Sequence, residues 1–172
     1  LTENAILRQT TASYRRRLFV PSEWQGKRLF LRFGGVMNVA DVFVNGSLVG
    51  GHKGGRTAFA VEITDKVYFG SENTLLVEVS NNYRSDVLPT ATEQNMYGGI
   101  YRDVELIVTE KTTVSPLYYG TEGVIVVPSK VTTESVEGCV SVALLGKKDS
   151  QCNVTVDIVS PDGYVAVTKS IK

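Results

Sequence analysis

Apolar residues recur at every second position through almost the whole chain, and this constrains its folding more than any other feature. Leu29, Leu31 and Phe33 alternate in RLFLRF, and Ala40, Val42 and Val44 alternate in VADVFV. Phe59, Val61 and Ile63 follow in AFAVEI, then Leu75, Val77 and Val79 in TLLVEV. VELIV and VSVALL continue the pattern. Side chains of a strand point alternately to its two faces, so this period marks half-buried strands. No window of a dozen residues keeps a helical period. Turn signals cut the runs at short intervals. Asn45-Gly46 between two apolar runs predicts a two-residue hairpin turn, whose central residues both need positive φ. Gly50-Gly51 and Gly54-Gly55 are expected to bracket a loop, and Pro161-Asp162-Gly163 marks a later turn. The expectation is an all-β chain of packed antiparallel sheets.

The 172 residues suffice for one sizeable core, or for one domain and part of a second. A boundary is expected near Glu110–Ser115. Before it, strands are rich in aromatics and Gly turns; after it they are rich in Val and Thr with polar turns. Residues 1–110 are thus read as one sandwich. Residues 111–172 read as the opening strands of an immunoglobulin-type sandwich, a fold that takes about 100 residues and about seven strands. The second sandwich is therefore expected to be incomplete here.

Eighteen basic and eighteen acidic residues cancel, which leaves no electrostatic footprint for nucleic acid. Arg15–Arg17 reads as a solvated strand edge. No apolar run approaches the ~20 residues that cross a bilayer, so no membrane partner is expected. The opening LTENAILRQT has neither the cationic start nor the apolar core of a signal peptide. Parity turns Cys139 outward and Cys152 inward, which makes them poor disulfide partners and predicts free thiols. With one histidine, His52, they make no convincing zinc site, and no metal or cofactor is expected.

Further motifs carry a resemblance. They are Phe33-Gly34-Gly35-Val36, Val44-Asn45-Gly46, Val49-Gly50 with Phe59, Asn73 to Val79, and Gly98 to Val104 in GGIYRDV, with SYRRRLFVPSEWQGKRLFLRF upstream. In this order and spacing they resemble the N-terminal sugar-binding domain of glycoside hydrolase family two, with GVMNVADV most similar to β-galactosidase-like members. The resemblance implies a galactose-binding-domain-like jelly roll followed by an immunoglobulin-like sandwich. It also implies a retaining glycosidase as the whole protein, with both catalytic glutamates on a (β/α)8 barrel that follows. A barrel takes about 250 residues, and nothing here reads as alternating strand and helix. No catalytic residue is therefore expected in this chain.

The resemblance further implies that a loop before GGIYRDV reaches the substrate pocket. Carried over by position, the sugar-contacting residues are Glu93 and Asn95, with Tyr97 as an aromatic wall. Fixed acceptors and amides beside apolar walls are what sugar hydroxyls need. The implied partners are a carbohydrate substrate and the catalytic barrel of the same chain, and a periplasmic or secreted location suits such a parent. The alternatives are a free-standing carbohydrate-binding module, with Tyr14, Tyr83, Tyr97 or Tyr101 as platform, or a sandwich for adhesion. Asp86, Glu93 and Asp103 are not expected to form a substitute catalytic site. Trp24 is expected to cap the core, and His52 to be structural or solvated. Lys53 and Arg56 are read as surface or interface charges, and Arg102-Asp103 as a salt bridge, local or to a neighbouring domain.

Overall fold

The computed structural model describes residues 9–87, 98–148 and 151–171. The first unit contains β1 (Thr11–Val20), β2 (Arg28–Phe33), β3 (Val36–Met37), β4 (Val39–Val44) and β5 (Ser47–Lys53). It continues with β6 (Phe59–Glu62), β7 (Ser71–Ser80), β8 (Gly99–Ile100) and β9 (Val104–Thr109). Two antiparallel sheets face each other, one ordered β1-β7-β4-β5 and the other β6-β2-β9, with the short pair β3-β8 at one end. Neighbours in each sheet are mostly distant in sequence, because the chain crosses between layers as a jelly roll does.

The core is the alternation read from the sequence. Leu29, Leu31 and Phe33 meet Ala40, Val42, Val44, Phe59, Val61, Ile63, Val77 and Val79 in one buried cluster. Trp24 packs against its margin. Phe33 and Phe59 stack with ring centroids 4.8 Å apart.

Two features differ from simple alternation. Phe30 has the outward parity of β2, yet it is fully buried. On that side Arg28 lies over its ring, 5.8 Å from the centroid, and forks onto Glu62 at 3.1 and 2.7 Å. The glycines Gly50 and Gly51 lie inside β5 and bracket no loop. A Cβ on Gly50 would stand 2.7 Å from Val61 Cγ1 in the facing sheet, and one on Gly51 would stand 2.5 Å from the Ala40 carbonyl oxygen. Glycine in a strand here serves close approach of neighbours, beside the bulge at Val42/Phe43. Asn45 and Gly46 form the predicted turn, with φ of 51° and 80°.

Beyond β9 come β10 (Thr113–Val114), β11 (Val124–Val131), β12 (Val136–Val142), β13 (Leu144–Leu145), β14 (Val154–Val159) and β15 (Val165–Ile171). They pair as β10-β13, β11-β12 and β14-β15. The chain is thus all-β, a jelly-roll sandwich followed by strands of an immunoglobulin-like one. The valines of these later hairpins are largely bare: Val126 is 67% exposed and Val136 66%. Cys139 is exposed, Cys152 is half-buried, and both are free.

Candidate functional site

The strand register gathers several loops at one end of the jelly roll. Val39 pairs with Lys53 and with Ser80, which closes one sheet there. Phe33 pairs with Phe59 and with Val104, which closes the other. Residues 34–38, 54–58, 81–87 and 98–103 therefore share this end. Glu93, Asn95 and Tyr97 lie outside the described residues, but both feet of their segment lie inside them.

The returning foot is a glycine pivot. A Cβ on Gly98 would press on the Asn81 side chain at 2.9 Å. Gly99 has φ of +102°, and a Cβ there would collide with the Tyr14 hydroxyl. Tyr14 thus packs on the pivot. Asn81 is itself fixed, since its Oδ1 accepts from the Thr10 N–H at 2.8 Å.

Tyr101 and Arg102 then bolt the pivot to two other loops. The Tyr101 hydroxyl donates to the Gly55 carbonyl at 2.6 Å. Arg102 Nη1 donates to the carbonyls of Gly34 (3.2 Å) and Arg56 (3.3 Å), and its guanidinium sits 5.2 Å from the Tyr101 ring centroid. The approach is close enough that a Cβ on Gly35 would stand 2.8 Å from the Tyr101 ring. Glycine at position 35 admits that approach, and Gly34 sits more loosely against Arg102, whose Cβ would lie 3.1 Å from an added one. Of the two bridges expected for Arg102-Asp103, the local one does not form. Arg102 lies in a bend with its guanidinium turned to the Gly34 and Arg56 carbonyls, and Asp103 accepts the Gly34 N–H through its main-chain carbonyl at 2.9 Å.

At the outgoing foot Asp86 is gripped by cations. Arg84 binds it through Nε at 2.8 Å and Nη2 at 2.9 Å, and Lys53 Nζ adds a contact at 2.9 Å. These hydrogen bonds, Arg84's first and Lys53's next, hold its carboxyl well below the usual carboxylate range. Asp86 is thus an ionised, solvent-exposed anchor. A lowered pKa moves a carboxylate away from the near-neutral value that suits an acid/base catalyst. His52 stacks on Phe59 with centroids 4.8 Å apart and its Nε2 meets Thr57 Oγ1 at 2.9 Å. Partial burial lowers its pKa. Both contacts lie within the first unit and hold the ring against β6.

Beside the pivot runs an open groove of about 530 Å³, lined by Arg32, Gly34, Ala58, Tyr101, Arg102, Asp103 and Glu105. Arg32 is already paired with Glu105 at 2.7 Å, and Arg102 is spent on carbonyls. Asp103 is exposed and shares this lining with Tyr101. Among the described residues no group of three or more His, Cys, Asp or Glu could hold a metal ion. None of their helices is long and apolar enough to cross a membrane. Sequence reasoning missed Asn81, Arg84 and the anchoring hydroxyl of Tyr101. Asn81 and Tyr101 find their partners 71 and 46 residues away, where no local pattern marks them, whereas Arg84 binds Asp86 only two residues on.

Comparison with known proteins adds to this geometry. Residues 3–110 match the family model described as glycosyl hydrolases family 2, sugar binding domain. The chain is 40% identical over 157 residues to a β-glucuronidase of Bacteroides fragilis, covering 91% of this chain and 22% of that protein. It is 31% identical over 155 residues to a β-galactosidase of Thermoanaerobacter pseudethanolicus, covering 88% and 20%. It superposes with a TM-score of 0.89 and 38% identity on the crystal structure of a Bacteroides fragilis protein provisionally named a β-galactosidase, covering 95% of this chain and 25% of that one. The chain thus spans a fifth to a quarter of the length of these relatives.

Proposed function

The chain belongs to glycosyl hydrolase family 2 through that family's sugar-binding domain, and from this premise we propose that it is a non-catalytic part of a retaining β-glycosidase. Its work is to pack on a catalytic barrel and to set one lip of the substrate pocket. Residues 1–110 form the lip-bearing unit. Residues 111–172 belong to an immunoglobulin-like sandwich whose bare valines are covered by strands outside these residues.

One observation carries the reading. The described residues on either side of the segment that holds Glu93, Asn95 and Tyr97 are tied to the jelly roll, Asp86 by ion pairs with Arg84 and Lys53 and the Gly98-Gly99 turn by its packing against Asn81 and Tyr14. Sugar recognition needs donors and acceptors held still before the ligand arrives, since ordering a loop on binding costs affinity. Glu93 and Asn95 supply the acceptor and the amide, and Tyr97 supplies the wall. The substrate class is a β-galactoside or a β-glucuronide, after the activities named for the relatives.

The test is made on the longer protein that contains this chain, with nitrophenyl β-galactoside and nitrophenyl β-glucuronide as substrates. Glu93→Ala is expected to raise KM or lower kcat about ten-fold or more, the loss expected for one charge-assisted hydrogen bond. Unchanged kinetics on a substrate that the parent cleaves would remove Glu93 from the pocket. Titration of the 172-residue chain with both sugars by calorimetry addresses the alternative, a free-standing binding module. Clear binding by this chain alone would favour that alternative.

A further inference from the structure

We propose that residues 115–123 are a clasp that fixes the second unit to the outer face of the β6-β2-β9 sheet, with Gly120 as the inserted residue and Arg32 as its receiver. The tip of the clasp is a tight turn. Tyr119 and Gly120 both have positive φ, 52° and 64°, and the Thr121 N–H donates to the Tyr118 carbonyl at 3.0 Å. Two successive left-handed residues make the hairpin type of turn that Asn-Gly favours. A large aromatic at such a position is disfavoured. The segment holds it by a second set of bonds. The Thr121 hydroxyl donates to the Tyr118 carbonyl at 2.6 Å and accepts from the Gly123 N–H at 3.1 Å.

The tip is seated on the first unit. A Cβ on Gly120 would stand 2.7 Å from the Ala58 carbonyl carbon and the Phe59 nitrogen. Those are backbone atoms of a buried strand end, so they cannot swing aside. Arg32 Nε donates to the Gly120 carbonyl at 2.8 Å, while its Nη1 holds Glu105 at 2.7 Å. Arg32 and Glu105 face each other across the β2-β9 register. One guanidinium therefore ties two strands of the first unit to the turn. Ser115, Pro116 and Gly120 are buried, while Leu117, Tyr118 and Tyr119 point outward.

The two ends of the segment are tied to the second unit. The Ser115 N–H donates to the Ala143 carbonyl at 2.7 Å, and the Ala143 N–H donates to the Gly123 carbonyl at 2.8 Å. The middle of the segment thus grips one unit and its ends grip the other. This inference stands independently of any sugar contact.

Chymotrypsin tests it on the 172-residue chain, because Leu117, Tyr118 and Tyr119 are cleavage points inside the clasp. Trp24, the one tryptophan, reports separately on folding of the first unit. Gly46→Ala is the matched control. It carries the same left-handed backbone cost at φ +80°, but its Cβ meets nothing within 4 Å. Gly120→Ala and Arg32→Gln are expected to speed cleavage within residues 115–123 about ten-fold or more, through local opening, with Trp24 emission still native. Gly46→Ala is expected to leave that rate unchanged. Cleavage of Gly120→Ala no faster than of Gly46→Ala would overturn the clasp. Should Gly120→Ala lose native Trp24 emission, Arg32→Gln decides, and an unchanged rate in it overturns the proposal equally.

Discussion

Asn73 lies near the start of β7 with its side chain buried, and both ends of its amide are in use. Its Oδ1 accepts from the Tyr68 N–H and from Asn45 Nδ2, each at 2.7 Å. Its Nδ2 donates to the carbonyls of Tyr68 at 3.0 Å and Ser71 at 3.1 Å. Asn45 in turn accepts from the Thr74 N–H at 2.9 Å and donates to the Lys66 carbonyl at 2.8 Å. Two amides thus bind the β4-β5 turn to the chain around residues 66–74. In the sequence Asn73 is only the first letter of a motif, and the network supplies its physical reason. Asn73→Ala is expected to destabilise the chain by about 3 kcal/mol, because it leaves buried donors and acceptors unpaired. A urea melt that shifts by less than a third of that would mean water replaces the amide.

At the scale of elements, the glycines of β5 show where a period-two reading stops. Their spacing looks like loop punctuation. Gly50 lets the β1-β7-β4-β5 sheet approach Val61 on the opposite one, and Gly51 lets β5 close on Ala40 and Asp41 of β4. Local propensity carries no information about a neighbour in the facing layer, so that use was invisible. Gly50→Val is expected to cost about 2 kcal/mol, since Val61 is enclosed and the added methyls overpack the interface. Equilibrium unfolding measures this, and an unchanged midpoint would show that the sheets can separate locally. The strands themselves, their inward residues and the Asn45-Gly46 turn were legible, because each depends on residues close in sequence. The burial of Phe30 was not, because it depends on what lies over the outer sheet face.

For the whole molecule the contrast is between two kinds of order. The jelly roll encloses a continuous core, whereas β11-β12 and β14-β15 are two-stranded hairpins with bare valines. Isolated two-stranded hairpins are marginal in water. Amide hydrogen exchange on this chain is therefore expected to be slowest in β7, at Val77 and Val79, and orders of magnitude faster at Val126 and Val167. Equal protection across both units would contradict the uncovered faces. The candidate site follows the same division of legibility. Its glycine pivot could be seen in GGIYRDV. The bolts that hold the pivot could not, since Tyr101 and Arg102 reach 46 residues back to Gly55 and Arg56. Glu93, Asn95 and Tyr97 rest on the family likeness and lie outside the described residues.

The seat of Gly120 against Ala58 and Phe59 has a consequence for anyone recombining this chain with its relatives. A chimera joined at residue 110 would import the Arg32 face from one parent and the turn that fills it from another. A residue with a side chain at position 120 would wedge the halves apart. A crossover placed after Gly123 would transfer lock and key together, and a library built both ways would show the difference in how many of its members fold.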